Sequence, residues 1–402
     1  MRILFVSQYY YPESFKITDI CEELARRKHE ITVLTGFPNY PGGEIYKEYT
    51  ESSKQCLIEK IKEVRVIRCP IRPRHKGGVN LFLNYFSYVK SAKKFLKHFD
   101  ETFDAIVVFE VSPVFQIEVA TYYAKKKKIP IITMCQDIWP EVLTIKGVSK
   151  KSIPFKLIKK VSGKLYRKST KIIVSSPSFK NYLTKEHNVD SKIITYIPQH
   201  GSQNLLSYNF SKETTDKTIF LYAGNIGKAQ NVEIMIKSFE MLKDNNFQFW
   251  IVGNGSEYEN CKKYIEEHEL TEKILLLGWK TREELLDIYK SIDVLVLSLT
   301  AHSFVGMTIP TKLQDYLAIG KPIIAAIEGD ARAVIEDAQC GLCSNADDVN
   351  SFLEALQKYM QNKLDYKKMG NNGRNYFLIH FKLEKIVDQM EEVITSSISN
   401  PI

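Results

Sequence analysis

Short β-branched runs alternate with amphipathic segments along the whole of this 402-residue chain, and that alternation limits the fold more than any other feature. Strands joined by helical crossovers pair in parallel, and a parallel sheet must be covered by helices on both faces. In the first half, strands are expected at 3–7, 31–35, 64–68, 105–109, 131–135 and 172–175, with helical spacing over 18–28 and 116–127. In the second half, strands fall at 219–223, 247–252, 274–277, 294–297 and 323–326, and helices at 231–243, 258–267, 281–290 and 311–318. The length exceeds what one hydrophobic core holds, so two domains are expected, 1–197 and 218–375, joined through the polar stretch 198–217. The predicted class is α/β, with two doubly wound, Rossmann-like domains facing a central cleft at the carboxyl ends of their strands.

Hydrophobic residues make up 44% of the chain and charged residues 26%, which is the range of a soluble globular protein. No run approaches the ~18 apolar residues that a membrane helix needs. The apolar part of residues 1–7 is too short for a secretory signal and reads as a first strand, so a cytoplasmic location is expected. Seven scattered cysteines fit reduced thiols. Cys340-Gly-Leu-Cys343 is the one CxxC; with no second Cys or His pair to complete a metal site, it reads as two small residues around a turn glycine. His29, His75, His98, His187 and His268 show no metal-ligand spacing. Residues 1–200 carry 35 Lys/Arg against 19 Asp/Glu, a balance of +16, whereas 201–402 carry 21 against 28, a balance of −7. Such a split points to an anionic partner for the first half alone.

The densest chemical signal is Pro310-Thr311-Lys312-Leu313-Gln314-Asp315. Pro310 fits only ahead of a first helical turn, and Thr311 suits an N-cap. A helix opening there presents unpaired amides and the positive end of its dipole. Lys312 adds a cation, and Asp315, one turn on, is placed to accept from vicinal hydroxyls such as a ribose diol. An ordinary capped helix with a solvated Lys and Asp accounts for the same residues.

These residues, with Tyr316 and Ala318-Ile-Gly320-Lys321-Pro322, resemble the donor-site signature of family 4 of the retaining glycosyltransferases. Other segments follow that family in order. Residues 3–13 resemble its first strand and acceptor-side loop, and Leu221-Tyr-Ala-Gly-Asn-Ile-Gly227 and Ile251-Val-Gly-Asn-Gly255 resemble the first two turns of its donor domain. Residues 35–43 and Gln136-Asp137-Ile138-Trp139-Pro140-Glu141 are similar to a branch that builds bacterial O-antigen and capsule repeats, including enzymes proposed to transfer N-acetyl-L-fucosamine. The resemblance implies a GT-B fold, a nucleotide-sugar donor with UDP foremost, and retention of anomeric configuration. It also implies an acceptor saccharide carried on a polyprenyl diphosphate, no bound metal or other cofactor, and a last helical segment, 376–402, packed back on the first domain. No Asp-x-Asp occurs, in keeping with metal independence, so cations and helix amides must meet the leaving-group charge.

The departures from the family pattern assign the site in detail. The family places two Glu eight residues apart; here those positions are Met307 and Asp315. Asp315 keeps the acid assigned to the donor ribose. Met307 leaves the donor-sugar hydroxyls to the main chain of Gly306, Met307 and Thr308, and suits a deoxy or acetamido sugar. The family's diphosphate-binding Arg is replaced by Asn225, so Lys228 and Lys312 are assigned to the diphosphate, with Thr311, Gly224 and Gly227 beside them. A solvated loop lysine is the plain alternative for Lys228. Gly253, Gly278 and Trp279 fall where the family meets the base; a buried Trp279 accounts for the sequence equally well. Tyr10, Tyr11, Glu13, Asn39, Tyr40 and Trp139 are acceptor-side candidates, Trp139 as a platform or as packing. Asp137 follows the strand 131–135 and is the candidate for deprotonating the acceptor or for orienting it, with Glu110 and Glu141 behind it. His302 and Ser303 fall in the loop before Met307, beside the donor.

Residues 79–99 are apolar and aromatic at first and then carry Lys90, Lys93, Lys94 and Lys97; residues 146–171 are rich in Lys and Arg and contain no acid. Together they suit the interface plane of an anionic membrane, which would put the protein peripherally on the inner face of the cell membrane. A core-facing helix with solvated lysines is the alternative for 79–99. Nucleic acid is excluded as a partner because no binding motif accompanies the charge, and nothing indicates a protein partner. Two rival functions stand: a sugar-nucleotide epimerase of the same fold, and a non-catalytic subunit that binds nucleotide. A dehydrogenase is excluded, because the first strand runs into Gln8-Tyr-Tyr-Tyr-Pro12 and not into a glycine-rich turn.

Overall fold

Two parallel sheets organise the chain, each in its own unit: Met1–Gln199 with Leu383–Ile402, and His200–Lys382. The structure, a computed structural model, describes residues 1–75, 77–211, 217–242, 245–302 and 304–399, the side chains of Lys146 and Lys367 apart. Ser303, Lys243, residues 212–216 of the expected connection and residues 400–402 lie outside the described residues.

In the first unit the strands are β1 Arg2–Val6, β2 Glu30–Gly36, β3 Leu57–Ile61, β4 Val64–Cys69, β5 Ala105–Glu110, β6 Ile131–Cys135, β7 Lys171–Val174 and β8 Ile194–Tyr196. They pair in the order β3-β4-β2-β1-β5-β6-β7-β8, all parallel except the β3–β4 hairpin. Helices α1 Ile17–Arg26, α2 Gly78–Lys97, α3 Gln116–Lys127, α4 Ile153–Tyr166 and α5 Pro177–His187 run between them. In the second unit the strands are β9 Thr218–Ala223, β10 Phe247–Val252, β11 Ile274–Gly278, β12 Val294–Ser298, β13 Ile323–Ala326 and β14 Gly341–Ser344. Their order is β11-β10-β9-β12-β13-β14, parallel throughout, with α6 Val232–Glu240, α7 Tyr258–Glu267, α8 Arg282–Ser291, α9 Thr311–Ile319, α10 Gly329–Asp337, α11 Val349–Gln361 and α12 Lys367–His380. The central strands are apolar almost without break because helices cover both faces; all six residues of β5 are buried.

The order reverses between β1 and β5 in the first unit and between β9 and β12 in the second. The loops leaving the carboxyl ends of those strands diverge there, and the crevice they leave is where such sheets bind ligands.

The structure adds strand β8 and helices α5, α10 and α11 to the expected elements, and three further differences have a plain physical reason. β3 was not foreseen, since its sequence Leu-Ile-Glu-Lys-Ile belongs to an edge strand whose alternate residues face water. The Cys340–Cys343 turn is instead strand β14. It lies close enough to β13 that a Cβ on Gly341 would stand 2.0 Å from the Ile323 carbonyl oxygen, and Cys340 is buried. Glycine and cysteine in place of β-branched residues hid it. The final segment 376–402 is not one helix: α12 ends at His380, and α13 Leu383–Ser399 follows. Buried Phe381 gives its carbonyl to the Gly201 amide at 3.0 Å, which takes it out of the helical ladder. Within the first unit α13 packs on α1, with Ile386, Val387, Met390 and Ile394 in the core and Arg27 paired to Asp388 at 2.6 Å.

Candidate functional site

The second unit gathers its chemistry where β9, β12 and the start of α9 meet. Tyr316 of α9 fixes the end of β9, its hydroxyl lying 2.9 Å from the Ala223 amide and 3.3 Å from the Ala223 carbonyl. That tie sets the first turn of α9 against the Gly224 turn. Lys312 lies across it: its Nζ donates to the Tyr222 hydroxyl at 2.6 Å and sits 3.9 Å over the Tyr222 ring. Gly224, at φ +150°, leaves the room; a Cβ there would stand 2.5 Å from Lys312 Nζ. Burial pushes the Lys312 ammonium down to about 7. Tyr222 in turn donates to the Asn225 carbonyl at 2.6 Å, so the lysine and the glycine turn are held by one phenol.

The cap of α9 differs from expectation. Pro310, with extended φ/ψ, holds the N-cap position, Thr311 is the first helical residue, and no side chain caps the helix. Its first amides therefore keep no side-chain acceptor. Asp315 accepts the Ser202 amide at 2.8 Å, so one carboxylate oxygen already anchors the segment that opens this unit.

The turn Val305–Met307 corrects a second expectation. The amides of Gly306, Met307 and Thr308 donate to the carbonyls of His302, Phe304 and Val305 at 3.4, 3.1 and 3.0 Å. Main-chain donors assigned to a sugar are thus engaged inside the turn, because a 3₁₀ turn closes on its own carbonyls. Gly329 lets this turn rest on the start of α10, where a Cβ would stand 1.8 Å from the Gly306 oxygen.

Lys228 has a different setting from Lys312. It lines a pocket of about 240 Å³ with Glu233 and Glu257, which neither Gly224 nor Lys312 lines. Two carboxylates make a poor neighbourhood for a diphosphate. The Asn225 amide donates to the Gln230 side chain at 2.8 Å, and Gly227 leaves room for that contact. Gly253 and Gly255 have a packing reason of their own, since Cβ atoms there would stand 1.9 Å from the Gly224 oxygen and 2.2 Å from the Ile226 oxygen. Gly278, at φ +67°, opens onto empty space, and Trp279 after it is 72% exposed, which removes the alternative of a buried indole.

In the first unit, the loops after β1, β2, β5 and β6 are tied by polar side chains. Glu13 is buried and accepts the amides of Asn39 at 2.9 Å and Tyr40 at 2.8 Å, clamping two loops together; burial still pushes its carboxyl up to about 7. Asp137 accepts both the amide and the hydroxyl of Ser112, at 2.9 and 2.8 Å, and Trp139 Nε1 donates to the same hydroxyl at 3.2 Å. Glu110 is fully buried, and burial, reinforced by the Asp137 charge, raises its pKa well above the carboxylate range. Glu141 is buried and accepts from Tyr182 at 2.7 Å.

Burial corrects three acceptor-side assignments. Trp139 is 1% exposed, edge-on to Tyr85 at 6.2 Å and tilted against Phe115 at 5.9 Å, so it is packing and not a platform. Tyr10 is wholly buried in the first unit's core. Asn39 is also buried, its amide donating to the Phe37 carbonyl at 3.0 Å. Tyr11 and Tyr40 remain exposed. His187, which has no metal-ligand spacing, is buried with its Nε2 2.8 Å from the Trp139 carbonyl.

Sequence reasoning missed Asp347, and it met Tyr222 and Tyr316 only as positions in motifs, without a role for either. Asp347 fastens the loop after β12 to the start of α6, accepting from Ala301 N at 2.7 Å, Thr300 Oγ1 at 3.0 Å and Asn231 Nδ2 at 2.6 Å. Each acts on residues 46 to 116 positions away, or projects from a strand that reads as plain core.

Comparison with known proteins agrees with this layout. Residues 17–199 match the family model for glycosyltransferase family 4, and residues 208–376 match that for glycosyl transferases group 1. An uncharacterized glycosyltransferase of Methanocaldococcus jannaschii is 26% identical over 259 residues, 63% of this chain and 68% of its own. A lipopolysaccharide 1,6-galactosyltransferase of Escherichia coli is 25% identical over 193 residues, 46% of this chain and 51% of its own. Among solved structures, sucrose-phosphate synthase from Thermosynechococcus elongatus superposes with a TM-score of 0.78 at 17% identity, covering 99% of both chains. HepE of Anabaena, in complex with UDP and glucose, superposes at 0.70 and 14% identity, covering 98% of this chain and all of its own. The two family matches, one in each unit, identify the chain as a glycosyltransferase, and the likenesses to solved structures show that its fold is GT-B.

Proposed function

We propose that the protein is a retaining glycosyltransferase that takes a sugar from a UDP-linked donor and adds it to a lipid-linked saccharide during assembly of a surface polysaccharide. The observation that carries this reading is Lys312, held over Tyr222 against the Gly224 turn at the opening of α9. A cation, uncapped helix amides and a glycine turn without a Cβ are what a diphosphate requires. The solved structure of HepE with UDP and glucose supports a uridine donor, and the galactosyltransferase relative supports a lipopolysaccharide-type acceptor.

In this reading Lys312 and the first amides of α9 carry the charge that develops on the departing UDP, and no metal takes part. Exposed Trp279 offers its indole face to the base. Asp315 meets the ribose with the carboxylate oxygen that Ser202 does not use. Asp137, pre-oriented by two hydrogen bonds from Ser112, orients the acceptor hydroxyl or takes its proton. Exposed Tyr11 and Tyr40 flank the acceptor side, and Met307 favours a deoxy or acetamido sugar. The enzyme works in the cytoplasm, peripherally on the inner face of the membrane; no helix among the described residues is long and apolar enough to cross it.

The test is transfer from a panel of UDP-sugars to a synthetic polyprenyl-diphosphate saccharide, with the anomeric configuration of the product read by NMR. An α-linked product from an α-donor is expected. Epimerised nucleotide-sugar without transfer, or UDP binding without turnover, would replace this reading with an epimerase or a binding subunit.

A further inference from the structure

In the first unit, α2 and α4 are apolar on faces that the core does not use. On α2, Leu81, Tyr85 and Tyr88 are buried, yet Val79, Leu83 and Phe86 are exposed. On α4, Ile153, Leu157 and Val161 recur every four residues and are 74, 60 and 44% exposed. A groove of about 550 Å³ runs between the two helices, lined by Phe82, Phe86, Phe115, Leu157, Val161 and Leu165. Its one charged lining residue, Glu118, is paired with Lys93 at 3.4 Å and Lys168 at 3.1 Å. Contiguous apolar surface of this kind marks an interaction site.

The charge around the groove selects the partner. Lys156, Lys160 and Lys164 stand four residues apart on α4, all exposed, directly beside the apolar stripe, and Lys90 and Lys94 are exposed on α2. A second copy of this chain would bring lysine against lysine. An acidic protein face would meet the lysines but leave the hydrocarbon unmatched. We infer that this face seats an anionic phospholipid bilayer, the groove and stripes taking up acyl chain and the lysines the headgroup phosphates. The inference rests on the proposed lipid-linked acceptor only for its use, since such an acceptor lies in the same bilayer.

The test is co-sedimentation with vesicles of phosphatidylglycerol and phosphatidylcholine, and with vesicles of phosphatidylcholine alone. The wild type is compared with Leu157→Glu/Val161→Glu and with Lys156→Glu/Lys160→Glu/Lys164→Glu. All five substitutions fall on exposed side chains, and thermal melting checks that each variant folds. The wild type is expected to partition at least about tenfold better onto anionic vesicles than onto neutral ones. Reversing three lysines should weaken partitioning by at least about 100-fold, near fivefold for each positive charge lost, and the apolar pair by more than about tenfold. Equal binding to neutral vesicles, no binding at all, or variants that bind like the wild type would overturn the inference. So would a wild-type dimer that the Leu157 and Val161 substitutions dissociate without any vesicle binding. Binding of UDP in solution is measured separately; its absence would count against the donor reading and leave the vesicle result to judge this one.

Discussion

Lys312 titrates in the range where donor binding is measured, which makes its role testable by pH alone. In the free protein burial lowers its pKa to about 7. About three-quarters of the molecules then carry the charge at pH 6.5 and about 3% at pH 8.5. A diphosphate binds the charged form and raises this pKa, so binding takes up a proton above pH 7. Affinity is therefore full below the free pKa and falls as pH rises through it. Between pH 6.5 and 8.5 the loss is about 25-fold, unless the bound pKa itself lies inside that interval. Isothermal titration with a UDP-sugar suits the measurement, because the esterified diphosphate does not itself titrate there. Repeating it in buffers of different ionisation enthalpy counts the proton directly. Lys312→Arg, charged at every pH, should bind with a flat profile, and Lys312→Met should bind weakly and flatly. A wild-type change below about threefold, or an Arg variant that keeps the slope, would refute the reasoning.

Other outcomes follow from the same structure. Tyr222→Phe removes the hydroxyl that joins Lys312 to the Asn225 carbonyl and should weaken UDP-sugar binding by about five- to tenfold, read by the same titration. Gly224→Ala puts a Cβ 2.5 Å from Lys312 Nζ at φ +150°, so it should weaken binding by at least about tenfold and, through backbone strain of about 1–3 kcal/mol, also lower the melting temperature by a few degrees. Trp139→Ala should cost about 3–5 kcal/mol of stability in chemical denaturation and leave the acceptor KM of the folded fraction unchanged; a raised KM would restore the platform. Glu13, with its folded pKa raised from 4.5 to about 7, stabilises the first unit below pH 4.5 and loses that contribution as pH rises towards 7. The loss amounts to at most about 3 kcal/mol. Glu13→Gln should flatten the fall in melting temperature between pH 4.5 and 7.5, and equal slopes would sink the idea.

Much of the site could be read without coordinates because its parts lie close in sequence. Pro310 to Asp315 sit on one helical turn, and Gly224 and Gly227 flank one strand end. What could not be read were pairings made across the sheet. Nothing in the run Thr218–Ala223 marks Tyr222 as more than a core aromatic, and its meeting with Lys312 spans 90 residues. Tyr10 and Trp139 look like exposed aromatics in loops, yet both turn inward.

By itself the sequence determined two mainly parallel sheets, because β-branched runs separated by helical spacing are joined by crossovers, which pair strands in parallel. It also determined a cationic helix start in the second half and a basic, aromatic first half. Only the tertiary structure decided burial. It put Tyr10 and Trp139 in the core, left Trp279 in water, engaged the amides of Gly306 to Thr308 in their own turn, and exposed a second apolar face on α2. The physical reason is that periodicity shows which residues share a face of an element, whereas burial depends on what packs against that face.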